Sequence, residues 1–278
     1  MVTALQPTAT PPQGDAAQPV LVFDDVCIGF EGKPVLENIS FTVSPGETRI
    51  LLGPAGSGKS VLLKLANGLI RPDTGTITVF GEEINNMPEE QLFQLRGRIG
   101  MVFQEGALFD SLTVRDNVAY RLIEQKVPEA EVTQRVLEAL RFVELEQTVD
   151  KFPSQLSGGM RRRVAIARAI VNRPDLILYD SPTGGLDPIT STTIVELVMK
   201  QRDVYHTSSL LVTHRLQDAF MLATHTFDRE QNHMVPIPND GLDLNTNFLV
   251  LHDGHMVFDG STHDLVHSDD PFLKEYLS

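Results

Sequence analysis

The stretch Gly53-Pro54-Ala55-Gly56-Ser57-Gly58-Lys59-Ser60 decides the reading of this chain. It fits G-x-x-x-x-G-K-[ST] and lies between an apolar run, Arg49 to Leu52, and a leucine- and alanine-rich run, Lys59 to Leu69. Strand, glycine loop and helix in that order form a phosphate cradle. Glycines let backbone N–H groups turn inward, and the helix N-terminus adds positive potential. Lys59 is placed to reach the β- and γ-phosphates of a nucleotide and Ser60 to give a hydroxyl to Mg²⁺, with Val61 ending the binding stretch. A carboxylate for that metal belongs at the carboxyl end of a neighbouring parallel strand. Asp180, closing the unbroken apolar run Leu176-Ile177-Leu178-Tyr179, is placed for it.

Outward from the loop, the β-rich runs Val20 to Ile28 and Ile39 to Val43 read as antiparallel strands, with Thr76 to Phe80 and Arg98 to Phe103 as further strands. Between Glu105 and Gln155 the pattern becomes helical. Val114, Val118 and Leu122 lie four apart, and Val132, Val136, Leu140 and Val143 three or four apart. Alternation then resumes with helix Gly158 to Val171, strand Leu176 to Tyr179, helix Thr190 to Arg202, strand Ser209 to Val212 and helix Leu216 to Ala223. A final β pair, Phe248 to Leu251 and His255 to Phe258, turns through Asp253-Gly254. The expected domain plan is a disordered leader 1–19, rich in proline, then one nucleotide-binding domain 20–260 and a tail 261–278. Within the domain, a helical subdomain is expected at about 105–155 and a polar surface insertion at about 226–247.

Composition narrows the partners. The 278 residues carry 23 Lys and Arg against 37 Asp and Glu, a net charge of −14, which argues against nucleic acid as a partner. The segment Leu216 to Ser278 alone holds 11 acidic and 2 basic residues. It also holds six of the eight histidines, read as solvated surface. Arg161, Arg162 and Arg163 read as a solvated helix face. The single cysteine, Cys27, reads as a small buried side chain in a strand and fits a reducing compartment. No apolar stretch approaches the ~20 residues of a membrane span.

Further motifs make the sequence resemble the ATP-binding-cassette (ABC) ATPases from Val20 to about Gly260. Leu156-Ser157-Gly158-Gly159-Met160 looks like their signature, with Met where Gln is commoner. Gln104 resembles the Q-loop glutamine, Gly185-Leu186-Asp187 the D-loop and His214 the switch histidine. Phe30 stands where an aromatic ring stacks on adenine, with core packing as the competing reading. The resemblance implies a P-loop α/β fold of ABC type: a mixed parallel sheet core, an N-terminal antiparallel β subdomain and an inserted helical subdomain. It implies ATP and Mg²⁺ as cofactors, with Mg²⁺ held through Ser60, Gln104 and Asp180. It further implies a head-to-tail dimer in which Ser157, Gly158, Gly159 and Asp187 face the nucleotide of the other cassette. Separate polytopic permease subunits would hold the pair at the cytoplasmic face of the membrane.

One position departs from the family. Most active members follow the Walker B aspartate with a glutamate that polarises water, whereas here the run is Asp180-Ser181-Pro182-Thr183. A serine hydroxyl is no equivalent base, so tight ATP binding with slow hydrolysis is expected. Within the family, Gly106 to Val114 and Asp116 to Tyr120, together with Leu156 to Arg163 and Gly185 to Thr190, are similar to the ATPases of Mla/Mce-type transporters, and Asp269 to Leu277 looks like the tail of that group. That likeness implies phospholipid or other hydrophobic cargo and an Mce-type substrate-binding protein in the complex. Another importer class, or a catalytically weak regulatory or soluble ABC protein, remains open on the same residues.

Overall fold

A computed structural model describes residues 18–238 and 241–278. Of the expected leader, 1–19, residues 1–17 lie outside the described residues. β1 (Leu21–Phe30) and β2 (Lys33–Val43) form an antiparallel hairpin. β3 (Thr48–Leu52) follows, every residue buried, and leads through the glycine loop into α1 (Lys59–Ala66). β4 (Thr74–Val79) and β5 (Glu82–Glu83) return to the hairpin, completing a four-stranded sheet of order β2-β1-β4-β5. α2 (Glu89–Leu95) was not foreseen: it is seven residues long and offers only Leu92 and Leu95 as buried anchors.

β6 (Ile99–Val102) precedes the helical segment, where α3 (Val114–Glu124) and α4 (Glu129–Phe142) occupy the periodic stretches. Thr113 caps α3 by accepting from the Asp116 N–H. α5 (Gly158–Ile170), β7 (Leu176–Asp180), α6 (Pro188–Tyr205), β8 (Ser208–Val212) and α7 (Leu216–Thr224) continue the alternation.

The stretch read as a polar surface insertion lies largely at the surface, with 229–233 exposed, and is tied to the core at a few points. β9 (His225–Asp228) and β10 (His233–Pro236) pair antiparallel, and the Phe227 side chain is buried. Asp243 lies 2.9 Å from Arg202, whose guanidinium is buried and also donates to the carbonyls of Leu222 and His225. A fully hydrogen-bonded cation of this kind can hold irregular backbone against a core. Asn239 and Asp240 of the stretch lie outside the described residues.

β11 (Thr246–His252) and β12 (His255–Ser261) complete a six-stranded sheet of order β12-β11-β3-β8-β7-β6. All neighbours pair parallel except β12, an antiparallel edge. α8 (Thr262–Val266) and α9 (Pro271–Leu277) follow, so the expected tail is ordered and packed, with Leu273 buried.

Two cores flank the six-stranded sheet, which explains its unbroken apolar runs. Ile50, Ile177, Tyr179, Leu211, Phe248 and Val250 point to the side of α3 to α7. Leu51, Leu176, Leu178, Leu210, Leu249 and Leu251 point to α1 and the antiparallel sheet. Cys27 is half-buried rather than buried: its Sγ lies 3.2 Å from the Asn38 amide and 3.3 Å from Asn38 Oδ1. Four of the histidines read as surface, at 233, 255, 263 and 267, are exposed, whereas His252 stacks on Phe272 at 3.8 Å. Among the described residues, no helix is long and apolar enough to cross a membrane.

Candidate nucleotide site

The parallel strands bring the predicted residues to one sheet edge. The glycine loop leaves β3, Gln104 follows β6, Asp180 ends β7 and His214 follows β8. Gly53 has φ +149, and a Cβ on it would lie 2.2 Å from the Leu251 carbonyl oxygen. Gly58 has φ +101 and caps α1 with no side chain, so the first N–H groups of that helix are left for an anion. Lys59 Nζ donates to the carbonyls of Gly53 (2.8 Å) and Pro54 (2.6 Å) and reaches Ser57 Oγ at 3.3 Å. Burial lowers the Lys59 pKa and the charge of Asp180 raises it. Ala55, Gly56 and Ser60 are exposed, Pro54 and Val61 partly so, and Ser57 is buried.

Among the described residues, no group of three or more His, Cys, Asp or Glu could hold a metal ion alone. The donor set Ser60, Gln104 and Asp180 instead fits a metal that shares phosphate oxygens, the usual arrangement for Mg²⁺ on a nucleotide. Bound there, Mg²⁺ would neutralise phosphate charge. The chain's part is then to present loop N–H groups, the Lys59 ammonium and the Asp180 carboxylate from fixed backbone.

The loop after Asp180 is tightly tied. Ser181 adopts φ +47, a left-handed conformation unusual for a residue other than glycine. Its N–H donates to the Val212 carbonyl and its carbonyl accepts from the Gly184 N–H, both at 2.9 Å. A Cβ on Gly184 would meet Gln104 Nε2 at 3.2 Å, so the Gln104 side chain lies against this turn. Thr183 Oγ1 donates to Asp218 Oδ2 at 2.5 Å, and Arg215 Nε lies 3.2 Å from the same carboxylate oxygen. Arg215 also reaches Ser191 Oγ at 3.0 Å, joining the residue after His214 to α6. His214 itself is exposed.

Of the three arginines expected to form a solvated face, Arg161 is exposed, Arg163 is half-buried and Arg162 is buried. Arg162 is 6% exposed and donates to the carbonyls of Phe103 (3.0 Å) and Gly184 (3.1 Å). It thereby clips the residue before Gln104 to the turn after Ser181. Burial lowers its pKa, and Glu105 opposes that. Arg163 donates to the Val143 carbonyl, and Arg168 to those of Gly106 and Ala107. Arg161 is exposed and donates to the Leu156 carbonyl.

At the start of α5, Ser157 Oγ accepts from the Met160 N–H at 3.2 Å. Gly158 is exposed, and a Cβ on Gly159 would lie 2.4 Å from Thr190 Cγ2, so close packing against α6 requires glycine there. Asp187 caps α6, accepting from the Thr190 N–H (3.0 Å) and Oγ1 (2.6 Å), bonds that lower its pKa. Phe30, 47% exposed, ends β1 on the antiparallel sheet. Sequence reading missed Arg162, Arg215, Asp218 and Tyr276, whose hydroxyl accepts from the Gly53 N–H at 3.0 Å. A separate cleft of about 300 Å³, lined by Phe142, Tyr205 and Thr207 among others, opens at the opposite edge of the sheet.

Comparison with known proteins agrees with this geometry. The family model "ABC transporter" matches residues 36–184. The methionine import ATP-binding protein MetN 2 of Bacillus cereus is 43% identical over 188 residues, covering 68% of this chain and 56% of that protein. The probable ribonucleotide transport ATP-binding protein mkl of Mycobacterium tuberculosis is 35% identical over 250 residues, covering 90% of this chain and 64% of that one. The chain thus spans 56% and 64% of the lengths of these two relatives.

Among solved structures, the dimeric post-hydrolysis state of the ATP-binding cassette MJ0796 with ADP and Pi aligns with a TM-score of 0.72 and 29% identity, over 87% of this chain and 98% of that one. The cbiO1 protein of Clostridium perfringens, part of the transporter complex cbiONQ, aligns with a TM-score of 0.76 and 26% identity, over 93% and 95%. The chain belongs to the ATP-binding cassette family of ABC transporters. ATP with Mg²⁺ is the cofactor pair of that family, and the fold is its P-loop α/β fold with antiparallel and helical subdomains.

Proposed function

We propose that this chain is the motor subunit of an ABC transporter, closing head-to-tail with a second copy over two ATP-Mg²⁺ and driving separate polytopic permease subunits at the cytoplasmic face of a membrane. The observation that carries the reading is the start of α1 at Gly58, with no capping side chain and with Lys59 folded over the loop beside it. Such a helix start is built to receive an anion.

In the proposed dimer, Ser157, Gly158, Gly159 and Asp187 face the partner's γ-phosphate, Gln104 and Asp180 hold Mg²⁺, His214 senses the phosphate and Phe30 stacks on adenine. Hydrolysis is slow, because Ser181 lacks the general-base contribution of ~10²–10⁴-fold that a glutamate supplies there. The cargo is a phospholipid or other hydrophobic molecule delivered with an Mce-type binding protein, a reading supported by the stretches Gly106 to Val114, Asp116 to Tyr120, Leu156 to Arg163, Gly185 to Thr190 and Asp269 to Leu277. A second reading, import of a small polar solute, is favoured by the 43% identity to a methionine import protein.

The test purifies the chain with its membrane subunits and measures ATP turnover with Ser181 and with Ser181→Glu. Slow turnover that the glutamate accelerates supports the reading, and equal rapid rates overturn the slow-hydrolysis part. Reconstituted vesicles offered a labelled phospholipid or a labelled amino acid separate the two cargoes.

A further inference from the structure

The phosphate loop is held from a direction its motif does not include. Gly53 is the buried hinge between β3 and the loop. Its carbonyl accepts from Lys59 Nζ at 2.8 Å, and its N–H donates to the Tyr276 hydroxyl at 3.0 Å, from a residue 223 positions further on. α9 is fixed there by independent contacts. Asp270 caps it by accepting from the Leu273 N–H at 3.0 Å, and Leu273 is 1% exposed. Phe272 stacks on His252, ring centroids 3.8 Å apart and planes 22° apart, while the Phe272 and Tyr276 rings lie 5.8 Å apart. His252 ends β11, the strand that pairs directly with β3. The aromatic column thus runs from the sheet to the loop entrance. Burial raises the Tyr276 pKa, so the phenol stays un-ionised.

We propose that Tyr276 is a positioning residue for nucleotide binding, holding Gly53 in place when Lys59 leaves the loop carbonyls for phosphate. In the structure, Lys59 spends its ammonium on Gly53, Pro54 and Ser57. Gripping a phosphate requires those bonds to be exchanged for bonds to phosphate oxygens. The hinge then keeps only the Tyr276 hydroxyl. Without that hydroxyl the Gly53 N–H lacks its acceptor in both states, but the free loop still has Lys59 on the Gly53 carbonyl, whereas the loaded loop has neither anchor. The loss therefore falls on the bound state, and the last helix becomes part of the nucleotide site. The proposal rests on the reading of the glycine loop as an ATP site.

The experiment measures Mg-ATP affinity and amide hydrogen exchange on the full chain for wild type, Tyr276→Phe and Lys59→Ala. Tyr276→Phe, which removes one oxygen, is expected to weaken Mg-ATP by up to about tenfold, the net worth of one hydrogen-bonded anchor that the free loop can spare and the loaded loop cannot. Exchange at the Gly53 amide is expected to accelerate more in the loaded protein than in the free one. Unchanged affinity, or an equal acceleration with and without Mg-ATP, overturns the positioning role and leaves Tyr276 a packing residue. Wild type and Lys59→Ala that bind Mg-ATP equally, or not at all, overturn the nucleotide reading itself and this proposal with it.

Discussion

Replacing Arg162 by methionine tests whether the signature helix is clipped to the loops on either side of it. The methionine keeps most of the apolar stem and removes the donors to the Phe103 and Gly184 carbonyls. Gly184 is buried, so its carbonyl loses its side-chain donor out of water, whereas Phe103 is 37% exposed and its carbonyl can recover a water. One buried unpaired acceptor and one rehydrated one give a loss of about 2–3 kcal/mol. For a chain of this size that lowers Tm by about 5–10 °C.

The control is Arg173→Met, whose side chain is 60% exposed and whose ion pair with Glu138 spans 3.4 Å. Such a surface pair contributes under about 1 kcal/mol, or roughly 2–3 °C. Scanning calorimetry of both variants decides the matter. Arg162→Lys should fall between, because one ammonium cannot present the planar fork that reaches both carbonyls. A Tm for Arg162→Met no lower than that of Arg173→Met would refute the clip and return Arg162 to the solvated face.

Three further outcomes are expected. Burial sets the Lys59 pKa below its ordinary 10.5. Phosphate is met by the ammonium form, so Mg-ATP affinity should weaken as pH rises through that lowered value, and an affinity flat up to pH 10.5 would contradict the burial argument. Gly53→Ala puts a Cβ 2.2 Å from the Leu251 carbonyl oxygen at φ +149. Backbone strain alone is expected to cost about 1–3 kcal/mol, visible as a lowered urea midpoint. Asp218→Ala strips the partner from Thr183 Oγ1 and from Arg215, with an expected loss of about 2–4 kcal/mol in denaturant titrations. Stability equal to wild type would show that the carboxylate is dispensable.

The sheet and the glycine loop were legible because their signals are local. Leu176 to Tyr179 is apolar without interruption since both faces of β7 meet a core, and the loop needs glycine wherever backbone crowds it. Arg162 was misread because three consecutive arginines suggest water. Helical phase held the correction: Arg162 shares a face with Ile166 and Ala169, which are buried, so one of the three had to turn inward. The stretch after α7 hid its tie to the core for a related reason. Its polar residues looked solvated, yet Asp243 serves a buried guanidinium that belongs to α6. Asp218 and Tyr276 left no signal in one dimension, because their partners, Thr183 and Gly53, lie far away in the chain.

The strand order also sets a timetable for synthesis. β3, which carries the phosphate loop, is paired on one side by β8 and on the other by β11, with Thr48 opposite Ser209 and Thr246. At about 5–20 residues per second, the roughly 160 residues separating Thr48 from Ser209, in the first of these neighbours to be made, take about 8–32 s to emerge. For that interval Thr48 to Leu52, all destined for burial, has neither neighbour, while β1 and β2 can already pair as an adjacent hairpin. A nascent chain stalled before β8 therefore displays a naked, sticky strand at the place where nucleotide will later sit, and its safe passage depends on whatever shields it on or near the ribosome.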